Sequence, residues 1–155
     1  MNSRKVLTVV FFVVVLGMGY YSMNAAPVVN DEEYTYQGGL EWHKDPGQAL
    51  DAAQAQDKPI LVYYWTSWCT YCDTYAGNHY RDEAMREELD DYVLLAVNID
   101  EPGSAEDLIR QHEATYQPQH RIMTSNGETV MSIEGYMERE QFRQVLESRS
   151  GSGSQ

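Results

Sequence analysis

The stretch Ile60-Leu-Val-Tyr-Tyr-Trp65-Thr-Ser-Trp-Cys69-Thr-Tyr-Cys72 joins an apolar run to a Cys-x-x-Cys pair. The run is short, β-branched and aromatic, and it opens just after Lys58-Pro59, which predicts a buried strand. Beyond the pair, Cys72, Tyr75, Ala76 and His79 or Tyr80 fall three and four apart, which predicts a helix. A strand feeding a helix through Cys-x-x-Cys places Cys69 at the first helical turn. Unpaired N–H groups and the positive end of the helix dipole favour a thiolate over a thiol there. Cys69 and Cys72 are the only cysteines in 155 residues, so any disulfide within the chain joins these two.

With two residues between them on a helical turn, the sulfurs come within bonding distance while the N-terminal one faces outward. Cys69 is then the nucleophile that attacks a partner disulfide, and Cys72 the thiol that resolves the mixed disulfide. Other uses of the same residues stay open on spacing alone. Cys-x-x-Cys is half of a zinc site, although a structural site takes four ligands and His79, His112 and His120 do not stand at finger spacing. A metal carrier would combine the two cysteines with one histidine. A purely structural disulfide is the remaining use, although so short a loop adds little stability through chain entropy. Redox chemistry is the favoured expectation, with no metal and no cofactor.

Composition bounds the partners. The chain holds 24 acidic and 11 basic residues, a net charge of -13. Residues 1–26 carry Arg4 and Lys5 and no acid, so the remainder has 9 basic and 24 acidic residues, a net charge of -15. Such a surface repels nucleic acid and anionic lipid. Met1-Asn-Ser-Arg-Lys5 followed by Val6 to Leu16, with apolar residues on to Tyr21, is a positive start and apolar core of export type. Two fates fit residues 1–26. One is a cleaved signal peptide, with Gly17-Met-Gly19 as a small-x-small cleavage candidate. The other is an uncleaved anchor over residues 6–23, at the short end of a membrane span, with Arg4 and Lys5 holding the N-terminus in the cytoplasm. Either fate exports the domain, to the periplasm or an equivalent compartment. Residues 27–38 are acidic and without sustained period, and read as a tether.

The rest of the chain predicts one α/β domain over residues 39–149. Leu40-Glu-Trp-His43 is a short edge strand. Asp45-Pro46-Gly-Gln48 opens a helix, with Asp45 as N-cap and Pro46 at the first helical position. Gly77-Asn78 marks a weak point after the Cys-x-x-Cys helix, and a second helical segment from Arg81-Asp82 turns Met85, Leu89 and Tyr92 inward. Tyr92 to Ile99 is a second continuous apolar strand, which with Ile60 to Trp65 implies a right-handed parallel βαβ unit. Pro102-Gly103 turns the chain, and Ser104 caps a helix with Ala105, Leu108, Ile109 and His112 facing in. Tyr116 to Met123 and Thr129 to Ile133 flank Asn126-Gly127, a hairpin signal. A last helix, Glu138 to Ser148, places Phe142, Val145 and Leu146 on one face, and residues 150–155 read as a flexible tail.

The order β, α, β, α, β, β, α with Cys-x-x-Cys after the first central strand resembles thioredoxin over roughly Gly39 to Ser148. Trp68 before Cys69, Asn98-Ile-Asp100 with Pro102-Gly103, Pro118 before the hairpin, Asn126-Gly127 in its turn and Gly135 before the last helix all match. The stretch from Arg81 to Leu95 is similar to exported thioredoxin-like proteins, including the C-terminal domain of membrane thiol:disulfide interchange proteins. The resemblance implies a thioredoxin fold, a central mixed β-sheet flanked by helices. It implies a redox-active Cys69–Cys72 disulfide, a cis peptide bond at Pro118, and substrate contacts from Trp68, Tyr71, Gln117 and Pro118. It also implies disulfide-containing exported proteins as partners and a membrane thiol electron donor. No extra domain is available for dimerisation, so a monomer is expected.

Departures from the family pattern shape the remaining expectations. Thioredoxins carry a buried aspartate and a lysine where this chain has Tyr63 and Ala96, so proton transfer at Cys72 lacks its usual pair. Asp73 after the second cysteine disfavours a thiolate, which predicts a pair on the reducing side. Gln119, His120 and Arg121 make a polar strand where the family has apolar residues, which predicts an altered substrate groove or a local irregularity. The leading expectation is an exported thiol:disulfide oxidoreductase that reduces disulfides of other exported proteins. The alternative is a protein-binding module of the same fold whose cysteines do not turn over.

Overall fold

The computed structural model describes residues 34–150. The leader, most of the tether and residues 151–155 lie outside the described residues. Among those described, no helix is long and apolar enough to cross a membrane.

Six strands form one mixed sheet in the order β1-β2-β4-β3-β5-β6. They are β1 (Tyr34–Gln37), β2 (Leu40–His43), β3 (Ile60–Trp65), β4 (Val93–Asn98), β5 (Gln119–Met123) and β6 (Thr129–Glu134). The expected parallel pairing of β3 with β4 is present, in register from Ile60 opposite Val93 to Trp65 opposite Asn98. On its other side β3 runs antiparallel to β5, with Tyr63 opposite His120. The helices are α1 (Pro46–Gln56), α2 (Thr70–Thr74), α3 (Glu83–Leu89), α4 (Glu106–Gln111) and α5 (Arg139–Ser150).

The two faces of the sheet carry two separate cores, and the period of two along β3 sorts its side chains between them. Leu61 and Tyr63 join Trp42, Tyr75, Tyr80, Met85, Leu89, Phe142 and Leu146 under α2, α3 and α5. Ile60, Val62 and Tyr64 join Ala49, Ala53, Leu95 and Val97 on the face covered by α1. Alanines at 49 and 53 let α1 lie close to the sheet. The Asp45 carboxylate accepts from the Gln48 N–H at 2.9 Å, which secures the start of α1 as expected.

Several boundaries differ from the sequence reading. The tether was expected through residue 38, but Tyr34–Gln37 form β1, paired antiparallel with β2 through the turn Gly38-Gly39. Gly38 has φ +63°, and a Cβ there would lie 2.4 Å from that of Tyr80, so the turn needs glycine on both counts. Consequently β2 is an inner strand and β1 is the edge. The final helix likewise takes in Ser150, one residue into the expected tail. The helix after the dithiol breaks where Gly77-Asn78 predicted weakness: α2 has five residues and passes into a π-turn over Tyr75–His79. Ser104 does not cap α4; Gly103–Ala105 form a 3-10 turn, and the Ser104 side chain hydrogen-bonds Asp45, helping to hold that carboxyl below the usual range. The Asn126-Gly127 pair lies in a five-residue loop, Thr124 to Glu128, closed by the Thr124 N–H to the Glu128 carbonyl at 2.8 Å.

The polar residues of β5 do not disrupt the strand; they are absorbed into the interior. Gln119, His120 and Arg121 are all buried, and their ladder with β3 is continuous. A register irregularity occurs only at Ile122/Met123, against β6. His120 stacks on Tyr63 at 4.9 Å between centroids, and its Nε2 pairs with the Tyr80 hydroxyl at 2.7 Å. Arg121 donates to the carbonyls of His112 and His120 and pairs with Glu134 at 2.9 Å. His112, expected to face inward, is buried and bridges the Tyr64 hydroxyl and Thr129.

Burial without a countercharge, with lesser contributions from His79 and Arg121, lowers the His120 pKa from 6.5 to about 3. The unfolded chain therefore takes up a proton at this histidine before the folded chain does. The linked stability is complete above about pH 6.5 and is lost as the pH falls toward 3. Relative to a His120→Phe variant, the wild type should lose about 1 kcal/mol of unfolding free energy per pH unit between about pH 6 and 4. Urea unfolding of both proteins across that window checks this; parallel pH curves would contradict it.

Candidate functional site

Trp65, the last residue of β3, leads through Thr66-Ser67-Trp68 to the dithiol at the start of α2. Cys69 and Cys72 are joined by a disulfide, with an S–S distance of 2.13 Å and Cα atoms 5.2 Å apart. Cys69 occupies the N-cap position, one residue earlier than the first helical turn. Its sulfur accepts from the Cys72 N–H at 3.2 Å, and its carbonyl accepts from the N–H groups of Cys72 and Asp73. The Cys72 N–H would stabilise a thiolate on Cys69 once the disulfide opens. Both cysteines are nearly buried, but Cys69 lines a surface groove and Cys72 does not.

Three of the four remaining predicted contacts line that groove, and Pro118 does not. Trp68, Tyr71 and Gln117 line it, together with Asp100 and Tyr116. Trp68 and Tyr71 are exposed at 69% and 58%, so neither is a core aromatic. The Trp68 indole N–H donates to the Asp100 carboxylate at 2.7 Å, which fixes the ring beside Cys69. Tyr71 leans on Tyr136, with centroids 5.2 Å apart. The Gln117–Pro118 peptide is cis, and Pro118 is buried. Gln117 precedes the first ladder pair of β5, so its backbone stands outside that ladder, while its side chain donates to the Thr66 hydroxyl at 3.1 Å. Asp73 is exposed on the first turn of α2.

Behind the disulfide the two departures noted in the sequence turn out to be one. Tyr63 and Ala96 face each other in the β3–β4 register, so a large ring stands next to a small residue. The Tyr63 hydroxyl donates to the Cys72 carbonyl at 3.3 Å, and that carbonyl also accepts from the Tyr75 N–H. Burial raises the Tyr63 pKa far above the ordinary tyrosine range. The group behind Cys72 is thus a neutral hydrogen-bond donor and cannot serve as a base near neutral pH. Sequence reasoning marked Tyr63 as a departure but could not find its partner, and it passed over Tyr116 altogether. The signal for Tyr116 was its place two residues before Pro118.

Residues 46–150 match the family model described as a thioredoxin-like domain. The chain is 22% identical over 100 residues to a thiol:disulfide interchange protein DsbD of Campylobacter jejuni, an alignment covering 64% of this chain. It spans only 18% of that relative's length. Among solved structures, a thioredoxin from Thermus thermophilus superposes with a TM-score of 0.63 at 24% identity, covering 71% of this chain and 87% of that one. The oxidised C-terminal domain of DsbD from Neisseria meningitidis gives 0.54 at 17% identity, covering 67% and 96%. At these identities the two structures bear on the fold alone.

Replacing Tyr63 with phenylalanine removes one hydrogen bond to the Cys72 carbonyl while keeping the ring that stacks on His120. The oxidised protein should lose about 1 kcal/mol of stability, read as a lower urea midpoint at unchanged slope.

Proposed function

This chain belongs to the thioredoxin-like domain family, and from that premise we propose that it is an exported reductant of disulfides in other exported proteins. Family membership, the bonded Cys69–Cys72 pair and the interchange-protein relatives together support thiol:disulfide oxidoreductase chemistry. The observation that carries the reading is the position of the dithiol. It lies at the end of a central strand, with Cys69 on an open groove and Cys72 behind it.

The reaction follows from that placement. Cys69 thiolate attacks one sulfur of the partner disulfide; an Sγ–S bond forms, and the other partner sulfur leaves as a thiolate that takes up a proton. Cys72, deprotonated, then attacks Cys69 Sγ, which re-forms the Cys69–Cys72 disulfide and releases the second partner thiolate. Two electrons pass from the dithiol to the partner. A dithiol donor must then reduce the pair, and by family analogy that donor is a membrane thiol carrier. Trp68, Tyr71, Gln117 and Pro118 are proposed to hold the partner segment. The apolar leader at residues 6–23 supports export, and a monomer suffices for this exchange.

Direction is the part to test first. Asp73 beside Cys72 offers no cation to stabilise a thiolate, which favours a reducing pair. The reduction potential of the chain, followed by tryptophan fluorescence in graded thiol buffers, should lie near or below about -230 mV; a value above about -180 mV would make it an oxidant or isomerase instead. A Cys72→Ser variant should accumulate mixed disulfides through Cys69 with its substrates, visible on non-reducing gels. A Cys69→Ser variant should lose all exchange activity; if the wild type itself showed no exchange while Cys69→Ser kept its affinity for a partner, the docking-module reading would replace this one.

A further inference from the structure

Three exposed aromatic rings border the groove that Cys69 lines: Trp68, Tyr71 and Tyr116, the last exposed at 51%. Rings held open to water in one patch mark a surface that meets a partner. Two of them are fixed in place. Asp100 holds Trp68 by its indole N–H. The Tyr116 hydroxyl donates to one oxygen of Glu134 at 3.0 Å, and the other oxygen lies 2.9 Å from the Arg121 guanidinium. The Arg121 side chain is only 6% exposed, and its guanidinium is anchored on the carbonyls of His112 and His120. A buried cation in the central sheet therefore positions a surface ring two residues before Pro118.

The charge lining the groove itself has one sign; behind Tyr116 the Arg121 guanidinium is paired with Glu134. Among the described residues no lysine, arginine or histidine lines the groove, and its one formal charge is the exposed Asp100 carboxylate, which has no ion-pair partner there. The chain as a whole carries -13. A cation gains from the ring faces, from Asp100 and from the surrounding field, and an anion loses at each.

We propose that the groove selects extended polypeptide disulfides in which a lysine or arginine flanks the target cysteine, with Tyr116 and Asp100 as its specificity-determining residues. This rests on the reductase reading of Cys69 and Cys72. The flanking side chain lays its cationic head against the Tyr116 and Trp68 rings near Asp100, while its cysteine meets Cys69.

The test compares two synthetic peptide disulfides that differ only in a lysine or a glutamate beside the cysteine, reduced by the full chain under pseudo-first-order conditions. The ratio of kcat/KM, lysine over glutamate, should be about tenfold at low salt and should collapse toward unity near 1 M salt. Tyr116→Ala and Asp100→Asn should each cut the low-salt ratio by about threefold. The asparagine keeps an acceptor for Trp68, and a ratio between two substrates cancels any general loss of activity. Equal rates on the two peptides, a preference for glutamate, or a ratio unchanged in both variants would overturn the proposal and leave the reductase reading standing. Reduction of neither peptide would overturn the reductase reading, and the proposal with it.

Discussion

Strand β3 is buried on both faces, so the polar groups that it or its neighbours carry inward need partners inside the protein, and most have them; the Trp65 indole nitrogen and His120 Nδ1 are the exceptions there. This constraint organises the space behind the disulfide. Tyr63 fills the room left by Ala96, reaches Cys72 with its hydroxyl and presents its ring to His120. His120 pairs with Tyr80, and Tyr75 accepts from the Met137 N–H with its hydroxyl. The groups are tyrosines with raised pKa values and a histidine held neutral by burial, so this part of the interior is polar but uncharged. An isolated buried carboxylate in the same place would cost far more to desolvate.

The same choice bears on the chemistry. A neutral donor behind Cys72 orients the second cysteine through its carbonyl but takes no proton from it. The resolving step then depends on solvent or on the partner's own leaving thiolate for proton balance. Around Cys69, by contrast, the backbone supplies N–H donors and the surface supplies aromatic rings. On the proposed reaction, activation is thus concentrated at Cys69 and positioning at Cys72.

The buried cation on the opposite face follows the same logic. Arg121 is tolerated in the central sheet because two carbonyls, Gln119 and Glu134 take up its donors. Its pairing with Glu134 carries out to Tyr116 at the surface, so an interior charge is converted into the placement of a ring at the groove. A strand that reads as too polar for a sheet centre is in this way the link between the core and the groove that Cys69 lines.

Much of the fold was legible because its elements declare themselves locally. Two continuous apolar runs gave β3 and β4, Asp45-Pro46 gave the start of α1, and Cys-x-x-Cys between strand and helix gave the reactive pair. Where local signals were weak, the reading slipped. Tyr34–Gln37 carry no sustained apolar period, and they become a strand only because β2 offers a partner. Ser104 has the chemistry of a cap, but Asp45 is within its reach and takes its hydrogen bond. The sequence alone determined which atoms can do redox chemistry, since covalent identity and spacing suffice for that. Only the tertiary structure decided what surrounds them: that Tyr63 stands behind Cys72, that Arg121 is satisfied in the sheet, and that Tyr116 and Asp100 share a groove with Trp68. Those relations join different elements of the fold, across nine positions for Tyr63 and Cys72 and 32 for Trp68 and Asp100, and no local propensity encodes a contact made by chain closure.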